Sequence, residues 1–125
     1  MQVDRAPKLT AIIDGDEAMQ DSLRDLMEAA GLVARCFRSA EEFLASDLRA
    51  QAACLIVDIR MPKMSGLQLQ TRLKEEECNI PIIFITAHGD ARMRIRAMRE
   101  GAVEFLAKPF DHRLLLKRAR SAVDM

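Results

Sequence analysis

Short apolar runs alternate with amphipathic stretches of helical period five times along this chain, and few architectures accept such a pattern. The apolar runs are Leu9 to Ile13, Val33 to Phe37, Cys54 to Val57, Ile82 to Ile85 and Val103 to Ala107. The run from Cys54 is nearly all apolar before Asp58, as expected of a strand covered on both faces. Ile82-Ile83-Phe84-Ile85, opened by Pro81, is the strongest strand signal. Glu17 to Ala30 places Met19, Leu23, Leu26, Met27 and Ala30 on one helical face, with Asp21, Arg24, Asp25 and Glu28 largely opposite and Gly31 as the stop. Ser39 caps Ala40 to Ser46, with Glu42 at the N3 position of a capping box. Ser65 or a residue near it opens a helix through Leu67, Leu69 and Leu73 to Glu77. Asp90 caps Ala91 to Glu100, which ends at Gly101, and Asp111 caps a last helix whose buried residues are predicted to be Leu114, Leu115, Ala119 and Val123. Strands and helices in strict alternation require right-handed crossovers, so the fold class is α/β: a doubly wound, five-stranded parallel sheet with five helices on its two faces.

The 125 residues, half of them hydrophobic, fit one globular domain spanning residues 1–125. Lys and Arg balance Asp and Glu at 19 each, which argues against a DNA-binding module and against direct nucleic-acid contact. The distribution is polar, however: residues 1–47 carry 5 basic and 10 acidic side chains, residues 90–125 carry 9 and 5. Cys36, Cys54 and Cys78 are widely spaced and odd in number, so they read as small buried hydrophobes in a reducing compartment rather than as a disulfide or zinc framework. No run approaches the ~20 apolar residues a bilayer requires, and the expected location is the cytoplasm, with no membrane partner.

Four of the runs end in polar residues that handle phosphate or metal: Asp14, Asp58, Thr86 and Lys108. In a parallel sheet the carboxyl ends share one edge, so these side chains would meet in one crevice. Asp58 is the candidate nucleophile, able to hold an acyl phosphate. Lys108 would offset the charge of an incoming phosphoryl group, and Thr86 would donate a hydrogen bond to it. Asp14, with Asp16 as a further candidate, would bring in Mg²⁺. Singly, each residue has a plainer role: an Asp caps a helix, a Lys is solvated, a Thr is ordinary in a strand. It is their coincidence at four strand ends that points to chemistry, and Asp16 is read equally well as a cap or a ligand.

The chain resembles the receiver domain of two-component response regulators, the CheY-like fold, from about Leu9 to Val123. The resemblance rests on Asp14, on Asp58-Ile59-Arg60-Met61-Pro62-Lys63-Met64-Ser65-Gly66, on Pro81 to Thr86-Ala87, on Gly101-Ala102 and Phe105, and on Lys108-Pro109-Phe110. It implies the strand order 2-1-3-4-5 and a phosphoacceptor role for Asp58, supplied by a sensor histidine kinase, a phosphotransfer protein or a small acyl phosphate. It further implies phosphate contacts from Thr86, Ala87 and Lys108, and metal ligation by Asp14, Asp58 and the backbone carbonyl of Arg60. A cis Lys108-Pro109 bond, a switch pair of Thr86 and Phe105, and an influence of Arg60 and His88 on hydrolysis are also implied. The stretch Thr86-Ala87-His88-Gly89-Asp90 resembles receivers that control transcription. The implied partners are an output domain, lying outside this chain, or a homodimer through the last two helices. The basic helix carrying Arg92, Arg94, Arg96 and Arg99 reads either as a solvated face or as that contact surface.

One departure stands out, because the family usually has two adjacent acids after the first strand and this chain reads Asp14-Gly15. Weakened Mg²⁺ binding and slower phosphorylation are therefore expected. The alternative is a pseudo-receiver, an interaction module without phosphoryl control. An aspartate-dependent phosphatase would want a second acid two residues after the nucleophile, where Arg60 stands, so the chain reads as a signalling domain rather than an enzyme. A flavin module would want a Ser/Thr/Gly-rich loop where Asp14-Gly15-Asp16-Glu17 would repel phosphate.

Overall fold

In the computed structural model, which describes residues 8–87 and 90–124, β1 (Leu9–Ile13), β2 (Val33–Phe37), β3 (Ala52–Asp58), β4 (Ile82–Thr86) and β5 (Glu104–Ala107) form one sheet. All neighbours run parallel, in the order β2-β1-β3-β4-β5. The helices are α1 (Glu17–Ala29), α2 (Ala40–Ala45), α3 (Gly66–Glu75), α4 (Ala91–Arg99) and α5 (His112–Val123).

Alternation along each strand divides the core in two. Ala11, Ile13, Leu55, Val57, Phe84 and Phe105 face a cluster completed by α2, α3 and α4. Ile12, Ile56, Ile83, Ile85 and Leu106 face a second cluster completed by Leu23 and Met27 of α1 and by Leu115, Ala119 and Val123 of α5. Residues 54–57 of β3 are fully buried on both sides, in keeping with their unbroken apolar character.

Local details depart from the sequence-based expectation. A 3-10 helical turn, Asp47–Gln51, follows α2 and is capped by Ser46, whose side chain accepts from the Leu48 N–H. Its tight turn delivers the chain into β3 two residues before Cys54. Helix α3 stops at Glu75, because Glu77 adopts a left-handed φ of 57° that ends the helical path. The box at Ser39 is only half closed: Ser39 accepts from the Glu42 N–H, but the Glu42 carboxylate reaches the Arg38 N–H instead of Ser39's own. The complete box is at Ser65 and Gln68. In α5, Ala122 is buried and Leu114 only half-buried, since the helix turns Leu115, Ala119 and Ala122 toward the sheet. The expected turn at His88-Gly89 lies outside the described residues, while Asp90 caps α4 by accepting from the Arg92 N–H at 2.7 Å.

Candidate functional site

Each residue of the site stands at the carboxyl end of a strand. Asp14 directly follows β1, Asp58 ends β3, Thr86 ends β4 and Lys108 directly follows β5, on four strands adjacent in the sheet. The register places Ile13 beside Val57, Asp58 beside Ile85, and Thr86 beside Ala107, so the four ends are level. The Lys108 N–H donates to the Thr86 carbonyl at 2.8 Å, which fixes the start of the last loop against β4. The Lys108-Pro109 peptide bond is cis.

Asp14 is almost wholly buried. Its Oδ1 accepts from the Asp16 N–H at 2.8 Å, and its Oδ2 is buried with no hydrogen-bond partner. Burial pushes the Asp14 carboxyl up from its ordinary value, and the nearby Asp58 charge adds to the rise, against the Asp16 N–H and Lys108. Asp58 is half-buried and accepts from the Arg60 N–H at 3.1 Å. Burial raises its pKa too; the Arg60 N–H and then the Lys108 charge oppose the rise, and Asp16 adds to it. The charges of Asp14, Asp16, Asp58 and Lys108 therefore act on one another at this edge of the sheet, with an anionic excess that favours a cation.

A buried, unpartnered carboxylate oxygen beside a second carboxylate suits Mg²⁺, a hard cation held by one or two carboxylates with water completing its shell. Among the described residues no three acidic, His or Cys side chains converge on a metal position. The Asp16 side chain caps α1 by accepting from the Ala18 N–H at 3.0 Å, while its charge still acts on Asp14 and Asp58. Of the two roles read for it, the cap is the one the structure shows. Gly15 is exposed and offers no side chain.

Thr86 is buried and projects on the same face of the sheet as Phe84 and Phe105, two residues along from the Phe84–Phe105 pair. The Phe105 ring, 3% exposed, lies inside with its centroid 6.5 Å from that of Phe84. Ala87 and Arg60 are exposed at the rim, and His88 lies outside the described residues.

Two residues escaped the sequence-based reading of the site. Gly66, the first residue of α3, sits against the backbone of Asp58: a Cβ there would come 2.8 Å from the Asp58 carbonyl oxygen and 3.1 Å from the Phe84 ring. A glycine directly after a helix cap is the signal that could have exposed this close approach. Arg94 donates through Nη1 to the Phe105 carbonyl at 3.1 Å, and nothing in its spacing separates it from the other arginines of α4.

Comparison with known proteins adds to this geometry. The pattern of the response regulator receiver domain matches residues 10–120. The chain is similar to the response regulator protein TodT of Pseudomonas putida, 46% identical over 114 residues that cover 91% of this chain and 50% of TodT. It is also similar to the transcriptional regulatory protein FixJ of Bradyrhizobium diazoefficiens, 38% identical over 112 residues that cover 90% of this chain and 55% of FixJ. The crystal structure of FixJ-N superposes with a TM-score of 0.83 at 34% identity, covering 96% of each chain. The chain spans about half the length of the curated relatives it matches.

Proposed function

This chain belongs to the response regulator receiver domain family of two-component signalling, and on that premise we propose that Asp58 accepts a phosphoryl group and that the resulting charge reorganises the C-terminal elements. The observation that carries the proposal is the level gathering of Asp14, Asp58, Thr86 and Lys108 at adjacent strand ends, with the Lys108 charge acting on Asp58.

The Asp58 carboxylate attacks the phosphorus of a phosphohistidine or an acyl phosphate; the new bond is P–O to Asp58, and the donor nitrogen or oxygen leaves with the electron pair of the broken bond. The Lys108 ammonium and the Thr86 hydroxyl stabilise the phosphoryl oxygens, and the backbone N–H of Ala87 adds a donor at the rim. Asp14, Asp58 and the Arg60 carbonyl would hold Mg²⁺, which supplies charge neutralisation at the transferring group. By the family resemblance, Arg60 and His88 are the residues whose side chains modulate hydrolysis of the phosphate. Phosphorylation adds a charge of roughly −1.5 to −2. That charge draws Thr86 toward the site and favours the inward position of Phe105, biasing one arrangement of α4, β5 and α5.

The phosphoryl donor is a sensor histidine kinase or a phosphotransfer protein. An apolar groove of about 490 Å³, walled by Met19, Leu23, Leu26, Pro109 and Phe110, opens beside Lys108 and offers such a partner an apolar seat. The output is transcriptional, as the name of FixJ states for that relative, through a domain outside this chain or a homodimer using α4 and α5. No helix among the described residues is long and apolar enough to cross a membrane.

Incubation with acetyl phosphate and Mg²⁺ followed by intact mass spectrometry tests the reading. A gain of one phosphate, lost in Asp58→Asn, is the expected result; no gain in the wild type overturns it. Gly15 and the diversion of Asp16 to a helix cap favour the second reading, a pseudo-receiver whose metal affinity is too weak to support transfer.

A further inference from the structure

Strand β5 is an edge of the sheet, so one side of its backbone has no neighbouring strand. Exposed edge groups invite pairing or slippage unless something occupies them. At Phe105 both groups are occupied by side chains. The Phe105 N–H donates to Oε1 of Glu104 at 3.3 Å, and the Phe105 carbonyl accepts from Nη1 of Arg94 on α4 at 3.1 Å. Oε2 of Glu104, a side chain only 14% exposed, accepts in turn from Nε of Arg118 on α5 at 3.3 Å. Helix α4 thus grips the Phe105 main chain directly and α5 reaches it through the Glu104 carboxylate, while the Phe105 ring is packed against Phe84 inside.

We propose that this chain of contacts, Arg94 to Phe105 to Glu104 to Arg118, is a clamp that holds the Phe105 ring in its buried position and couples that position to α4 and α5, with Arg94 as the positioning residue. The proposal deepens the switch reading above and rests on it for the link to phosphorylation. An ion pair between Glu104 and the partly exposed Arg118 alone, at 3.3 Å, contributes little. The consequence comes from convergence: β5 cannot shift at Phe105 without breaking a charge-assisted bond to α4 or carrying that helix along. A guanidinium suits the task, since its planar fork reaches a carbonyl at the end of a long side chain and stays charged at every physiological pH. If the buried ring favours the phosphorylated site, linkage is reciprocal, and loss of the clamp lowers the affinity for a phosphoryl mimic by the same factor.

The test uses the full chain as wild type, Arg94→Met, Arg94→Lys and Arg92→Met, with beryllofluoride plus Mg²⁺ as the phosphoryl mimic. Ring position is read independently by aromatic NOEs between Phe84 and Phe105 in the ligand-free protein. Arg94→Met is expected to weaken the Phe84–Phe105 NOEs and to lower beryllofluoride affinity by about fivefold or more. Arg94→Lys restores part of both, because an ammonium still donates to the carbonyl. Arg92→Met removes the same charge from the same helix and leaves both readouts at wild-type values. Unchanged NOEs in Arg94→Met overturn the clamp, and weakened NOEs with unchanged affinity overturn its coupling to the site. Equal effects of Arg92→Met and Arg94→Met reduce the effect to net charge and also overturn it. A wild type that fails to bind beryllofluoride overturns the phosphoryl reading instead, and the NOEs alone then decide the clamp.

Discussion

The first turn of α3 rests on the backbone of Asp58 at Gly66, where a Cβ would stand 2.8 Å from the Asp58 carbonyl oxygen and 3.0 Å from the Ile59 Cα. The neighbours are main chain and cannot step aside as a flexible side chain would. Gly66→Ala is therefore expected to destabilise the fold by about 1–3 kcal/mol, as overpacking does, and to slow phosphoryl uptake by displacing Asp58. Urea denaturation and acetyl phosphate labelling measure the two effects, and a variant as stable as the wild type would contradict this close approach.

Gly15 is the opposite case. A Cβ there would meet only the Arg38 carbonyl oxygen at 3.7 Å, an ordinary contact, so a side chain fits. Gly15→Asp adds a further carboxylate beside Asp14 at little structural cost. Mg²⁺ affinity is expected to rise on the order of tenfold, about 1.4 kcal/mol, with phosphorylation accelerated at limiting metal. Isothermal titration of metal into both proteins decides it; equal affinities would show that the missing acid is not what limits binding.

Thr10 lies in the middle of the sheet, level with Ala34 and Cys54, with its hydroxyl buried and lacking a partner. An unsatisfied buried hydroxyl costs about 1–3 kcal/mol relative to an apolar group of the same shape. Thr10→Val is expected to raise the thermal midpoint. A lowered midpoint would mean that the hydroxyl finds a partner in solution.

Glu76 accepts from Arg49 at 2.6 Å and from Arg72 at 2.7 Å, and these bonds hold its carboxyl below the ordinary glutamate value of 4.5. A depressed folded-state pKa means that the contribution is complete above the unfolded value and is lost as pH falls through the lower, folded one. The stability difference between wild type and Glu76→Gln should accordingly be constant near neutrality and shrink below about pH 4.5. Denaturant midpoints taken across pH 3–7 test the sign; a difference that grows in acid would refute it.

Much of the site was legible because it depends on where strands end. Asp14, Asp58, Thr86 and Lys108 each close an apolar run, and in a parallel sheet the ends of such runs must share an edge. The caps at Ser65, Asp90 and Asp111 were equally legible, since a cap acts on N–H groups two or three residues away. The turn at Asp47–Gln51 went unread although Ser46 before Leu48 carried a cap signal of the same kind. Asp16 was ambiguous in the sequence because cap and metal ligand use the same carboxylate. The start of α1 at Glu17 puts that carboxylate against the Ala18 N–H.

By itself the sequence determined the alternation of strands and helices, the parallel sheet with two buried faces, and the set of groups brought to one edge. Those follow from side-chain periodicity and backbone chirality, which act over a few residues and leave little choice of topology. Only the tertiary structure decided that Arg94, among the arginines of α4, meets the Phe105 carbonyl, that Gly66 must be without a side chain, and that Asp14 keeps one oxygen unpartnered. Such contacts join atoms far apart along the chain at tolerances of a few tenths of an ångström, set by how the helices settle on the sheet and not by any local pattern.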